Sequence, residues 1–182
     1  MKKIIAIIVT LFISAYTAGA QTATSAAASQ QVNMSLTDAI AITFVNNGTA
    51  TGNAVTMSFK TVRNYSSGIS SATQQFKVQS NKNFIISVNT NAANFSYTGT
   101  EIPAPVMPVN TLTMKVTANA TGGSIASPFN NFGSMSSSSQ DVINNGSYGG
   151  NQTFSVKYKA TPGFSYPAGT YTTTVVFTAT QP

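Results

Sequence analysis

Between Asn151 and Pro182 the large apolar residues recur at every second position. Phe154, Val156 and Tyr158 alternate with Ser155, Lys157 and Lys159. A loop rich in Pro and Gly follows, from Ala160 to Gly169. Beyond it Tyr171, Thr173, Val175 and Phe177 alternate again, in a run dense with Thr and Val. This period of two belongs to an extended strand with one buried and one wet face. A helix would need apolar residues three and four apart. The feature therefore commits the chain to a sheet. Two such runs joined by a Pro/Gly loop predict adjacent antiparallel strands.

Earlier segments repeat the pattern. Val32, Met34 and Leu36 predict a first strand, and Ile40, Ile42 and Phe44 resume it after Thr37-Asp38. Asn46-Asn47-Gly48 is a turn signal. Val55, Met57 and Phe59 predict the next strand, with Lys60 just beyond, and Asn64 to Ser71 a loop. Phe76 and Val78, then Phe84, Ile86 and Val88, predict the two arms of a hairpin turning at Asn81-Lys82-Asn83. Ile85 departs from the alternation, which predicts that a loop covers it. Phe95 and Tyr97 make a short run. The stretch Glu101 to Pro108 holds three prolines and predicts an extended crossover, since Pro has no amide to give a ladder. Leu112, Met114 and Val116 predict another strand. Residues 118–150 are weak in pattern; Gln140 to Asn144 predicts a short edge strand, and Phe129, Phe132 and Met135 are candidates to plug the core.

No segment beyond the first twenty residues carries helical periodicity. The fold class expected is all-β, an antiparallel Ig-like β-sandwich of about seven to nine strands. Lys60, Lys77, Lys115, Lys157 and Lys159 should lie outside and the alternating apolar residues inside.

The ends of the chain predict export. Lys2 and Lys3 precede the apolar run Ile4 to Ile13, and Ala18-Gly19-Ala20 supplies a small-residue cleavage site. That run is too short for the roughly 30 Å of a bilayer core. Residues 1–20 are read as a signal peptide, 21–29 as a flexible leader and 30–182 as one domain. No further apolar span follows, so no membrane segment is expected after cleavage. Without Lys2 and Lys3 there remain seven basic residues against three acids, net +4. Those seven are scattered, whereas nucleic-acid binding needs clustered charge. There is no Cys, so neither a disulfide framework nor a lipid-bearing Cys is available.

The chemistry open to the chain is narrow. It has no His and no Cys, and its only acids are Asp38, Glu101 and Asp141, far apart in sequence. General acid–base work needs a tuned, positioned group, and glycoside hydrolysis needs two carboxylates. Each acid is more simply a turn or loop residue. Zinc prefers His or Cys, and calcium wants several acidic oxygens together. No catalytic residue, metal site or cofactor is expected. Binding is carried best by Tyr148, Phe164 and Tyr166, aromatic residues in Gly/Pro/Ser-rich loops that can pack on a sugar face or a partner protein. The plainer reading is that their rings cap the ends of the core.

Two stretches carry a family likeness. Phe76 to Val88 pairs two alternating runs around an Asn turn. Phe154 to Ala160, then Tyr166-Pro-Ala-Gly-Thr-Tyr171 leading into a Thr/Val strand, is the other. Together they resemble uncharacterised secreted proteins of Bacteroidota and, more distantly, WxL-type and fimbrial-subunit-like surface sandwiches. The resemblance implies a surface β-sandwich. It departs in having no Trp, so the Trp-x-Leu wall-binding motif is missing, and no Cys pair.

The function expected is that of a non-catalytic structural or adhesion-type protein, exported to the cell surface, the extracellular space or the periplasm. The alternatives are a module binding glycan or cell wall through loop aromatics, and a fimbrial-type polymerising subunit. A polymer built by lending a strand to a neighbour needs bulky alternating side chains on the lent segment. The leader Gln21 to Gln30 offers only Ala at most apolar positions. A self-sufficient monomer is therefore expected, with any polymer formed through surfaces or edges.

Overall fold

A computed structural model describes residues 27–182. The signal-peptide reading, and the leader up to residue 26, fall outside them. The chain divides into two units, Met1–Ser35 and Leu36–Pro182. In the first, the described residues 27–35 have no regular secondary structure and are exposed. The strand expected at Val32, Met34 and Leu36 is not formed; these side chains are 76%, 84% and 84% exposed.

The second unit is mostly β. Its strands are β1 (Ile40–Phe44), β2 (Ile69–Ser70), β3 (Gln74–Ser80), β4 (Phe84–Thr90), β5 (Ser96–Thr98), β6 (Leu112–Ala120), β7 (Ser124–Ile125), β8 (Gly133–Ser134), β9 (Gln140–Gly146), β10 (Gly149–Ala160), β11 (Thr170–Thr172) and β12 (Val175–Thr180). One short helix, α1 (Val62–Ser67), stands where a loop was expected. Thr61 caps it by accepting from the Asn64 amide, while the Asn64 side chain accepts from the Thr61 amide. The expected strand count falls short because β2, β5, β7, β8 and β11 are two or three residues long. Runs that brief cannot display a period.

The strands form a six-stranded sheet, in the order β1-β3-β10-β6-β8 with β2 also on β10; a four-stranded sheet, β12-β4-β9-β7; and the pair β11-β5. All pairings are antiparallel. None joins two strands consecutive in the chain. This corrects two expectations. β3 and β4 are not a hairpin: β3 pairs with β1 and β10, and β4 with β12 and β9. Nor is β10 the neighbour of β11 or β12. Asn and Gly permit a chain reversal, but they do not say whether the returning strand stays in its sheet. Here the Asn81–Asn83 turn delivers it to the other one.

Both larger sheets feed one apolar cluster. Phe76, Val78, Leu112, Met114, Val116, Phe154, Val156 and Tyr158 come from the six-stranded sheet, and Phe84, Ile86, Val88, Val142 and Ile143 from the four-stranded one. Alternation places each set on one face, as β4 shows with buried and half-buried residues in strict turn. Ile85 is half-buried and pairs with Thr180 of β12.

The weak region is ordered. β9 is not an edge strand but lies between β4 and β7, with Val142 and Ile143 fully buried. Phe129 and Met135 enter the core, whereas Phe132 is 36% exposed and its ring carries Lys115 at 5.0 Å. Gly123 is required here: a side chain would strike the Asn144 carbonyl and the backbone of residues 145 and 146.

Candidate functional site

The core is closed on one side and open on the other. Where β4 and β9 run, the apolar side chains are fully buried. Toward β1 and β12 the cluster is bordered by half-buried groups: Ile42, Phe44, Met57, Val175 and Phe177. An open groove of about 1020 Å³ runs there, lined by β1, by residues 50–59, and by residues 166–177 leading into β12. No charged residue lines it.

Three features of the backbone shape the groove. β12 pairs with β4 along one edge only, so among the described residues its outer edge has no partner. That edge offers unused N–H and C=O groups. Second, the strand expected at Val55 to Phe59 does not form. The chain there has no regular secondary structure and joins no ladder; Val55 is exposed, and Met57 and Phe59 are half-buried. Gly52 lets this segment pass close over Phe44, where a Cβ would sit 2.5 Å from the ring. Third, β1 and β12 are drawn together at one end. The Gln181 side-chain amide donates to the Ala39 carbonyl at 3.0 Å and to the Ser80 hydroxyl at 2.9 Å.

The expected buried set is thus met in the two sheets and missed at the groove. Val55, Met57, Phe59, Tyr171, Val175 and Phe177 are half-buried or exposed because the surface they face is uncovered. Of the lysines named as outward, Lys60 is exposed and Lys77, Lys115, Lys157 and Lys159 are half-buried.

The three candidate aromatics do not converge. Phe164 is 66% exposed and stacks on Tyr65 at 5.5 Å; Tyr65 in turn meets Phe59 at 5.5 Å. Tyr166 is half-buried at the groove, edge-on to Tyr171 at 6.3 Å. Tyr171 packs on Tyr97 at 5.1 Å, across the β11–β5 pair. Tyr148 lies apart, 68% exposed beside β1 and Gly149. Tyr65, a groove aromatic that sequence reasoning missed, sits in a short helix with no periodic signal.

The acids are dispersed. Asp38 pairs with Lys82 at 2.6 Å, both side chains more than half exposed. Asp141 is on β9 opposite Ser87, and Glu101 is in the Pro-rich loop, its amide donating to the Tyr97 hydroxyl at 3.4 Å. Among the described residues no three His, Cys, Asp or Glu side chains are placed to hold a metal ion. Nor is any described helix long and apolar enough to cross a membrane.

The fold and groove define a mostly β protein of antiparallel sheets with an uncharged cleft beside a free strand edge. No family model and no curated protein matches the chain.

Proposed function

We propose that this is an exported, non-catalytic structural or adhesion-type protein, an Ig-like β-sandwich at the cell surface or beyond it, whose working surface is the groove. The observation that carries the reading is the free outer edge of β12 beside an uncharged, half-covered part of the core. Such an edge takes an extended polypeptide: main-chain hydrogen bonds hold it, and alternate side chains enter the apolar cleft. The partners are other surface proteins. Export rests on the basic, apolar and small-residue order of residues 1–20.

A second reading has one specific observation in its favour. Phe164 is exposed and backed by Tyr65, a platform suited to a sugar ring. Tyr148 and Tyr166 are the other candidate contacts.

The test compares three forms of the purified protein: unchanged, Phe164→Ala, and the double variant Val176→Lys/Thr178→Lys. Both edge positions are exposed, and lysines there discourage strand addition without entering the core. Sedimentation should show the unchanged protein in species larger than one chain, and the edge variant as a single chain. Retention on peptidoglycan or surface polysaccharide that is lost in Phe164→Ala, with sedimentation of one chain throughout, would replace this reading by the glycan one.

A further inference from the structure

The described chain contains a segment whose apolar pattern suits the groove. In Gln31 to Leu36 the apolar residues Val32, Met34 and Leu36 alternate with Asn33 and Ser35. A strand with that pattern has one apolar and one polar face. Yet the segment forms no strand, and its three large apolar side chains are among the most exposed in the protein, at 76%, 84% and 84%. Leaving three such groups in water is unfavourable unless another surface covers them.

We infer that Gln31 to Leu36 of one copy adds as a strand to the outer edge of β12 in a second copy, with Val32, Met34 and Leu36 directed into the groove. This rests on the groove reading above and names its occupant; it departs from the self-sufficient monomer expected with Gln21 to Gln30 as the lent segment. Length, pattern and charge support the match. β12 spans Val175–Thr180, six residues, and so does the segment; each extends roughly 20 Å. The free edge follows the same alternation, with Val175, Phe177 and Ala179 half-buried and Val176, Thr178 and Thr180 exposed, and its first half, Val175 to Phe177, lines the groove. An added strand in that register puts apolar beside apolar within the cleft and leaves Asn33 and Ser35 in water. Neither partner carries charge: Gln31 to Leu36 holds no acidic or basic side chain, and neither does the groove lining. The uncharged surfaces meet without desolvating an unpaired ion.

The attachment of the segment favours a directed connection. Asn81 holds the chain where it enters β1: its side-chain carbonyl accepts from the Ala39 amide at 2.9 Å, and its amide donates to the Thr37 carbonyl at 2.7 Å. Lys82 pairs with Asp38 alongside. A copy lends its segment by one surface and receives by another. The contact is therefore head-to-tail, and repetition gives a linear assembly instead of a closed pair.

The absence of Cys makes the test clean, because any disulfide is an introduced one. Four single variants of the full chain are made: Asn33→Cys, Ser35→Cys, Val176→Cys and Thr178→Cys. All lie on the polar or exposed faces, and opposed residues of paired strands approach within disulfide range. Each segment variant is mixed with each β12 variant under mild oxidation. Gly150→Cys, at an exposed position with open space, replaces the β12 partner as control. The expected result is a cross-linked pair of two chains for at least one segment–β12 combination and none with Gly150→Cys. A second variant, Val32→Ser/Met34→Ser/Leu36→Ser, should sediment as one chain, and a synthetic peptide of residues 30–37 should bind it and protect β12 amides from hydrogen exchange. A chain carrying Ser35→Cys and Thr178→Cys together is oxidised alongside; if it closes the disulfide only within one molecule, the second-copy assignment is overturned. If the edge lysines disperse an assembly that none of these cysteines cross-links, the groove reading stands and the segment is not its occupant. If the peptide fails to bind and nothing assembles, both fall.

Discussion

Phe76 of β3 and Phe177 of β12 meet with ring centroids 4.4 Å apart, although their strands belong to different sheets and share no hydrogen bond. Phe76 also stacks on Phe154 at 4.8 Å and touches Phe44 at 4.4 Å. Phe76 thus ties β3 to β1, β10 and β12 and couples both sheets, with Phe154 also meeting Phe177 at 5.9 Å. It is 2% exposed, while Phe177 opens onto the groove.

Removing Phe76 should therefore loosen both sheets at once. We expect Phe76→Ala to lower unfolding stability by about 3–5 kcal/mol, the range for a buried phenylalanine that leaves a cavity. Urea unfolding, followed by tyrosine fluorescence, measures this. A loss below about 1 kcal/mol would mean that the site collapses and that the coupling is not carried by this ring.

Tyr158 makes stability fall at high pH. It is 7% exposed, and burial pushes its hydroxyl well above the ordinary 10.0. The unfolded chain thus ionises first. The stabilising contribution is complete below pH ~10 and declines as pH rises beyond it, by up to about 1.4 kcal/mol per pH unit. Tyr158→Phe should flatten this decline. Thermal melts of both forms between pH 8 and 11.5 test it, and equal slopes above pH 10 would contradict it.

The link between Asn81 and the start of β1 should matter more than the ion pair beside it. Asn81 bonds Thr37, Ala39 and Gln181. Asn81→Ala should cost about 1–2 kcal/mol, since two backbone groups and the Gln181 side chain lose a partner. Lys82→Ala should cost less than about 0.5 kcal/mol, because an exposed ion pair adds little. Chemical denaturation of the two variants decides the order.

Gly123 and Gly150 should respond in opposite ways to the same change. A Cβ on Gly123 meets rigid backbone at the end of β9, whereas one on Gly150 meets nothing within 4 Å. We expect Gly123→Ala to destabilise by about 1–3 kcal/mol. Gly150→Ala should be neutral to slightly stabilising, through a less flexible unfolded chain. Parallel melts compare them directly.

Alternation alone made β4, β6, β10 and β12 legible. Each is long enough to show a period, and each has one face in contact with the core. The buried identities of Phe84, Ile86, Val88, Leu112, Met114, Val116, Phe154 and Val156 follow from that pattern. The same pattern misled at Val32 to Leu36 and at Val55 to Phe59, which join no ladder. Period two states that a segment suits a pleated, half-buried surface; it does not state that the surface is present in the same chain. For the candidate site, the loop aromatics Phe164 and Tyr166 could be named in advance. The groove that Tyr166 lines, and whose Tyr65 carries Phe164, could not.

By itself the sequence determined the strand class, the inward and outward faces of the long strands, and a set of catalytic side-chain types reduced to three carboxylates with no His and no Cys. These are local properties, set by side-chain chemistry at a spacing of two. Only the tertiary structure decided which strands pair, that the turn at Asn81–Asn83 crosses between sheets, and that the core stays half-covered beside β12. Pairing is a competition among all strands for the same backbone groups. A turn specifies a reversal without specifying a partner, and an open edge becomes visible only when every other strand has been placed.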